Sequence, residues 1–251
     1  MGTRFVIIGA ARTGSTLLVK TLNDIEGLRC HGELLNNDAV RGYADGFDPY
    51  AATPEERKAR IEGLDRARKA DPAAFIADAL SGDNPATGFK CLYSALFDSR
   101  WRRASRYLLS QDDIHFVHLV RNNNLRRYVS EQILVAGGTN HSAVGGRSNR
   151  SVSVNIDIKA FLADSEKTQL EIQRTRDLLA DRQVLEVSYE TLAASIGSEI
   201  ARICAFLGLS VDPASVEPAL KKVGAANLRD SVQNYEELAR HPATRELLEQ
   251  A

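Results

Sequence analysis

Cysteine is scarce: Cys30, Cys91 and Cys204 are the three in 251 residues, and no two form a C-x-x-C pair. That spacing supports neither a disulfide framework nor a zinc site. Cys91 and Cys204 lie in apolar patterns and read as small core residues, so a reducing, cytoplasmic setting is expected. No apolar run approaches the ~20 residues that a membrane-spanning helix needs. The amino terminus enters a strand within a few residues, so no signal peptide is expected. Net charge is also nearly absent, at −1. This argues against a general binder of nucleic acid or acidic membrane and leaves room only for a local basic pocket. What is present, 43% hydrophobic and 26% charged residues, is ordinary for a globular protein. The length allows one large α/β domain or two small ones. No internal repeat or linker interrupts the chain, so residues 1–251 are expected to form one domain, with a polar helical tail from about residue 212 that carries no strand signal.

The most informative stretch is Arg4 to Leu22, RFVIIGAARTGSTLLVKTL. Phe5 to Ile8 form the unbroken apolar run of a parallel strand buried on both faces. Gly9 to Thr16 then match G-x-x-x-x-G followed by two hydroxyl residues, and a helix continues from Thr16. A loop of this kind aims backbone N–H groups and a helix N-terminus at one point, which is an anion site. It lacks one thing: a phosphate loop for nucleoside triphosphates ends G-K-[ST], and here Ser15 stands in the lysine's place while the cation, Arg12, sits inside the loop. Such a site suits a single 5′-phosphate or phosphosulfate better than a triphosphate.

Further on, a short strand at 27–31 leads into HGELLNN, placing Glu33 just past a strand end, where ligand crevices of α/β sheets lie. Thr53-Pro54 and Asp71-Pro72 are helix starts. The first opens a charged helix to about Ala70 and the second a shorter one through Leu80. TGFKCL (87–92) reads as a buried strand carrying Lys90, followed by one helix over 94–110. IHFVHLV (114–120) is a strand running into Arg121, with a helix over 125–135. Residues 137–151 are glycine-rich and polar, of a length usual for lids or disorder. A long helix over 158–181, a strand over 184–187 and a helix with apolar residues at spacings of three and four up to Leu207 complete the pattern. Gly208 follows as the helix's C-cap. Strands alternating with helices imply a single three-layer α/β/α domain of phosphate-loop type with a mainly parallel sheet.

Arg121 ends a strand, and Ser130 lies nine residues on in the next helix; together they could hold one phosphate, guanidinium and hydroxyl both donating. Taken alone, the pair reads better as a salt-bridged arginine and a solvent-facing serine; beside a phosphate loop on another strand of the same sheet, the shared phosphate is the favoured reading. His115 and His118 read as sheet residues. His141, Arg147 and Arg150 could close over a ligand or lie in a solvated loop.

The set GAARTGSTLL, HGE, GFK, FVHLVRNNNLRRYVS, VSYETL and FLGL, from about residue 4 to 208, resembles the sulfotransferase family, its bacterial carbohydrate-type members most nearly. The resemblance implies that Arg12, Thr13, Gly14, Ser15 and Thr16 hold the 5′-phosphosulfate of 3′-phosphoadenosine 5′-phosphosulfate (PAPS). It also implies that Arg121 and Ser130 hold the 3′-phosphate and that Tyr189 lies near the adenine. Glu33 resembles the catalytic base, with His31 as the fallback; a capping or surface carboxylate is its plainer reading. Arg12 and Lys90 would stabilise charge on the bridging oxygen. Lys90 could equally be a structural cation. Partial burial is expected to raise the Glu33 pKa toward neutrality. The implied reaction moves a sulfuryl group from PAPS to a hydroxyl of a carbohydrate, glycolipid or other small acceptor, leaving 3′-phosphoadenosine 5′-phosphate (PAP). It handles no β- or γ-phosphate, so no metal is expected. A divergent nucleoside or sugar kinase and a non-catalytic nucleotide-binding module are the alternatives. The arginine-rich segment 99–106 is either a homodimer interface or a solvated face.

Overall fold

The computed structural model describes residues 2–137, 141–142, 152–219, 221–222 and 228–249. In chain order the elements are β1 (Thr3–Gly9), α1 (Ser15–Asn23), β2 (Leu28–Glu33), α2 (Pro54–Ala70), α3 (Pro72–Ala79), β3 (Ala86–Leu92), α4 (Tyr93–Leu96), α5 (Arg102–Ser110) and β4 (Ile114–Val120). They continue with α6 (Asn124–Val135), β5 (His141–Ser142), α7 (Ile158–Leu178), β6 (Gln183–Ser188), α8 (Tyr189–Ala194), α9 (Ile196–Phe206), β7 (Lys221–Lys222), α10 (Tyr235–Arg240) and α11 (Pro242–Glu249).

Five strands form one sheet in the order β2-β3-β1-β4-β6, and every neighbouring pair is parallel. The reason lies in β1. Phe5 and Ile7 pack on one face with α1 and α9, through Leu18, Leu22, Ile200 and Ile203. Val6 and Ile8 pack on the other with α3, α5 and α7, through Ile76, Leu108 and Ile172. A strand apolar on both faces must be covered on both, which is the condition for a parallel sheet. β1 is flanked by β3 on one side and β4 on the other, with the first connections going to the β3 side and later ones to the β4 side, so the sheet's carboxyl edge opens a crevice beside the loop after β1.

Four expectations need correction. The helix expected over 94–110 is broken, because Asp98 turns its carboxylate onto the Arg100 N–H and starts a 3₁₀ turn over Ser99–Trp101. The helix up to Leu207 is split at Ser195, whose φ of −145° leaves the helical region, with Ser188 capping the first piece. The helix from Ile158 ends at Leu178. The tail does carry a strand: Lys221 and Lys222 pair antiparallel with Ser142 and His141. The same tail buries Leu228, Val232 and Leu238 against Leu125, Val129 and Phe161 of α6 and α7 in a third apolar cluster. Apart from 141–142, the glycine-rich stretch 138–151 lies outside the described residues, and so do Arg147 and Arg150.

Helix α2 opens on a full capping box between Thr53 and Glu56 and is otherwise charged and exposed. Its one buried residue is a cation, Arg68.

Candidate active site

The loop after β1 is held from inside: the Thr13 hydroxyl donates to the Ala10 carbonyl at 2.9 Å. Arg12, at φ 67°, is the one non-glycine residue with positive φ among the described residues. Gly14 follows at φ 83° and forms the N-cap of α1 without any side-chain cap. The first N–H groups of a helix have no partner within it, so those of Ser15, Thr16 and Leu17 face outward as a ready anion site.

The cations converge there. Arg121 follows the end of β4; its Nη1 donates to the Arg12 carbonyl at 3.0 Å, and its guanidinium lies 4.2 Å above the Tyr189 ring. The turn that carries Arg121 is tied to α8 by Glu190, which accepts from the N–H groups of Asn122 and Asn123 at 3.2 and 3.1 Å. Arg12 reaches across to α6, where Nε donates to the Ser130 hydroxyl at 3.2 Å and lies 4.0 Å from the Glu131 carboxylate. Burial lowers the pKa of both arginines, a cost that an incoming anion would relieve. Arg121 Nε is buried with no hydrogen-bond partner among the described residues. Arg12, Arg121, Ser130 and Tyr189, spread over the sequence, thus meet at one corner of the sheet.

Gly14 is fixed by this corner. A Cβ on it would stand 2.5 Å from Tyr189 Cδ2, and its φ is one that side chains disfavour. Gly46 shares the positive φ but has open space around it. The expected result for Gly14→Ala is a loss of about 1–2 kcal/mol in stability together with PAP binding more than tenfold weaker. Gly46→Ala should lose only stability, as calorimetric titration of the two variants with PAP would show.

The second half of the site lies on the other side of the loop, at the ends of β2 and β3. Lys90 is buried, and its Nζ lies 2.7 Å from Glu33 Oε1 and donates to Thr16 Oγ1 at 3.3 Å. Asn36 Nδ2 donates to the other carboxylate oxygen, Glu33 Oε2, at 2.6 Å. A cleft of about 270 Å³ opens at this point, lined by Glu33, Asn36, Asn37, Asp38, Lys90 and Ser94 with Leu35 and Leu92. One ammonium therefore bridges the anion loop and a carboxylate at a cleft mouth.

The expected rise in the Glu33 pKa is corrected by the structure. Burial is the largest single influence and does push it up, but the charge and hydrogen bond of Lys90, the Asn36 amide and the charge of Arg41 together pull it below the usual value. Glu33 is a carboxylate at neutral pH. His31 is engaged on both ring nitrogens: Nδ1 accepts from the Ala44 N–H and Nε2 donates to the Ala79 carbonyl, each at 2.9 Å. It is buried, and burial lowers its pKa. No lone pair of His31 is free for a substrate. His118 is also a sheet residue, accepting from the Tyr93 hydroxyl at 2.6 Å and donating to Glu186 at 3.0 Å.

Sequence reading missed Asn36, Glu131 and the anchoring role of Glu190. Glu190 lies inside the quoted YETL segment, and Asn36 inside HGELLNN; nothing in residue type separates them from solvent-facing polar neighbours. Among the described residues, no group of three or more His, Cys, Asp or Glu side chains is placed to hold a metal ion.

Residues 4–213 match the model of the sulfotransferase family. The chain belongs to the sulfotransferase family. Several of the solved structures it resembles are sulfotransferases. The sulfotransferase domain of the olefin synthase of Synechococcus PCC 7002 is 21% identical, with a TM-score of 0.52 over 99% of this chain and 94% of that one. The sulfotransferase domain from the curacin biosynthetic pathway is 15% identical, with a TM-score of 0.53 over 99% and 89%. A mouse sulfotransferase complexed with PAP is 13% identical, with a TM-score of 0.49 over 99% and 74%. No curated protein matches the sequence significantly. The first two of these neighbours agree with this sulfotransferase in fold. No described helix is long and apolar enough to cross a membrane.

Proposed function

We propose that the chain transfers the sulfuryl group of PAPS to a hydroxyl of a small acceptor, a carbohydrate or glycolipid, with Glu33 as the general base. The observation that carries this is Lys90, whose ammonium touches Thr16 of the anion loop and Glu33 at the cleft mouth. A donor's anionic end and an acceptor's hydroxyl would meet across that one cation.

The residues fit the donor. The uncapped α1 N-terminus with Thr13 to Thr16 suits the 5′-phosphosulfate, and the unpaired Arg121 Nε with Ser130 suits the 3′-phosphate. Tyr189, stacked under Arg121, suits the adenine's neighbourhood. When bound, PAPS supplies the sulfuryl group and a phosphate leaving group. The chain's own residues do three things. Glu33 takes the proton of the acceptor hydroxyl. Lys90, shared between Glu33 and Thr16, and Arg12 supply positive charge where negative charge accumulates. The polar rim of Asn36, Asn37, Asp38 and Ser94 offers donors and acceptors to a polyhydroxylated acceptor, which a purely apolar cleft would not. The three cysteines are free and buried, which suits the cytoplasm we propose for it.

The test is a transfer assay with ³⁵S-labelled PAPS against sugars, glycolipids and phenols, with and without EDTA. Label should pass to a sugar hydroxyl, and EDTA should leave the rate unchanged. Label passing only to phenols would overturn the acceptor class, and transfer that EDTA abolishes would point to a metal-dependent reaction instead. The pH profile follows from the charge state of Glu33. Protonation inactivates a base, and the pKa of the free protein lies below the ordinary 4.5. The acid limb of kcat/KM, which reports the free enzyme, should therefore fall below pH 4.5. A limb between 6 and 7 would remove Glu33 from the role.

A further inference from the structure

Glu33 sits at the start of a short loop, 34–37, whose main chain is fastened from behind by a residue far away in sequence. Arg68, on the last turn of α2, has a side chain 0% exposed. Its Nη1 donates to two carbonyls of that loop, Leu34 at 3.0 Å and Asn36 at 2.5 Å. Its Nη2 pairs with Asp65, one turn earlier in α2. The guanidinium plane is stacked 4.5 Å from the ring of Trp101, and Trp101 Nε1 in turn donates to Asn37 Oδ1 at 3.3 Å. Three consecutive contacts therefore hold Leu34, Asn36 and Asn37 in place.

Burying a guanidinium is costly unless its donors are used. Arg68 is the one fully buried residue of α2, and the only apolar side chain of that helix packed on the core beside it is the partly buried Leu64. Asn36 shows what the clamp does. Its carbonyl accepts from Arg68 while its side chain donates to Glu33 Oε2 at 2.6 Å.

We propose that Arg68 is a positioning residue of the active site, which through the main chain of Asn36 aims the Asn36 amide at Glu33 and so sets the orientation of that carboxylate toward Lys90 and the cleft. The inference rests on the reading of Glu33 as the base, and it adds a second layer behind it. The guanidinium holds both carbonyls through Nη1 and Asp65 through Nη2 while its carbon lies over the indole, a division of donors between two nitrogens that a lysine ammonium does not reproduce. The groups facing Glu33 are Lys90 from β3, Asn36 and Arg41 from its own loop, and the Cys91 thiol, whose pKa Glu33 helps to raise.

The experiment reads the Glu33 carboxyl directly, by ¹³C NMR titration of protein labelled at glutamate Cδ, with the Glu33 signal assigned from Glu33→Gln. Asn36→Ala removes the hydrogen bond to Oε2, so its titration should move to higher pH. Arg68→Met fills the same volume against Trp101 but drops both carbonyls, and it should move the titration in the same direction. The double variant should move it no further than the larger single shift, since both changes break one chain of contacts. Arg68→Lys, which keeps a charge with three N–H donors on a single nitrogen but loses the planar guanidinium, should give a smaller shift and stands in if Arg68→Met does not fold. PAP affinity, read by calorimetry, should change less than about threefold throughout, because 34–37 lies on the acceptor side of the loop. A Glu33 titration unmoved in the folded Arg68 variants overturns the proposal, as do additive shifts in the double variant. The readout uses no acceptor, so it stands or falls separately from the assignment of Glu33 as the base.

Discussion

Arg121→Met is expected to weaken PAP binding about a hundredfold while leaving adenosine 5′-phosphate within about threefold. At the loop after β1, Arg121 has an unspent donor, its Nε being buried without a partner among the described residues. A hydrogen bond to a charged group contributes about 1.5–3 kcal/mol, and a hundredfold in affinity is about 2.7 kcal/mol. The apolar replacement keeps a stem over Tyr189, so most of the packing persists. It does leave the Arg12 carbonyl without the guanidinium donor that holds it, and a modest fall in melting temperature should accompany the change. The comparison of the two nucleotides is the deciding measurement. Both carry a 5′-phosphate, and only one carries the 3′-phosphate. If the two lose affinity equally, Arg121 acts by shaping the loop after β1 and the assignment of the 3′-phosphate to it and Ser130 is wrong.

Glu33→Gln should lower kcat for transfer by 10² to 10⁴, the usual contribution of a general base, with PAP affinity unchanged. The amide is close in shape but not in hydrogen bonding. Both carboxylate oxygens accept, one from Lys90 and one from Asn36, so the new NH₂ must face a donor. Some loss of stability is therefore expected as well, and PAP binding serves as the control that the anion loop is intact. Transfer that survives the substitution within tenfold would leave Glu33 as a structural partner of Lys90. The base would then have to come from elsewhere, and His31, tied to Ala44 and Ala79, is in no position to replace it.

Much of this was legible from local pattern. The run Phe5–Ile8 reads as a doubly covered strand, and Gly9–Thr16 as a tight turn into a helix; both are found as such. Arg121 and Ser130, nine residues apart, come together because α6 folds back over the end of β4 onto the residue between them, Arg12. That much a reader of spacing can anticipate. The pKa of Glu33 could not be anticipated, since its direction depends on Lys90, fifty-seven positions on and adjacent only through strand pairing of β2 with β3. The broken helix at Asp98 escaped for a simpler reason. Its hydrophobic spacing continues across the break, and a single carboxylate capping Arg100 decides the matter. Arg68 is the hardest case. It sits in a stretch so charged that every residue of it reads as solvated, and only the packing of α2 against 34–37 turns one of those charges inward.

The indole against which that buried guanidinium rests belongs to the one tryptophan of the chain. Trp101 touches Arg68 on its face and Asn37 at its edge, so its surroundings are those of the loop 34–37. The protein thus carries a native fluorophore beside residues 34–37, with no second indole to dilute its signal.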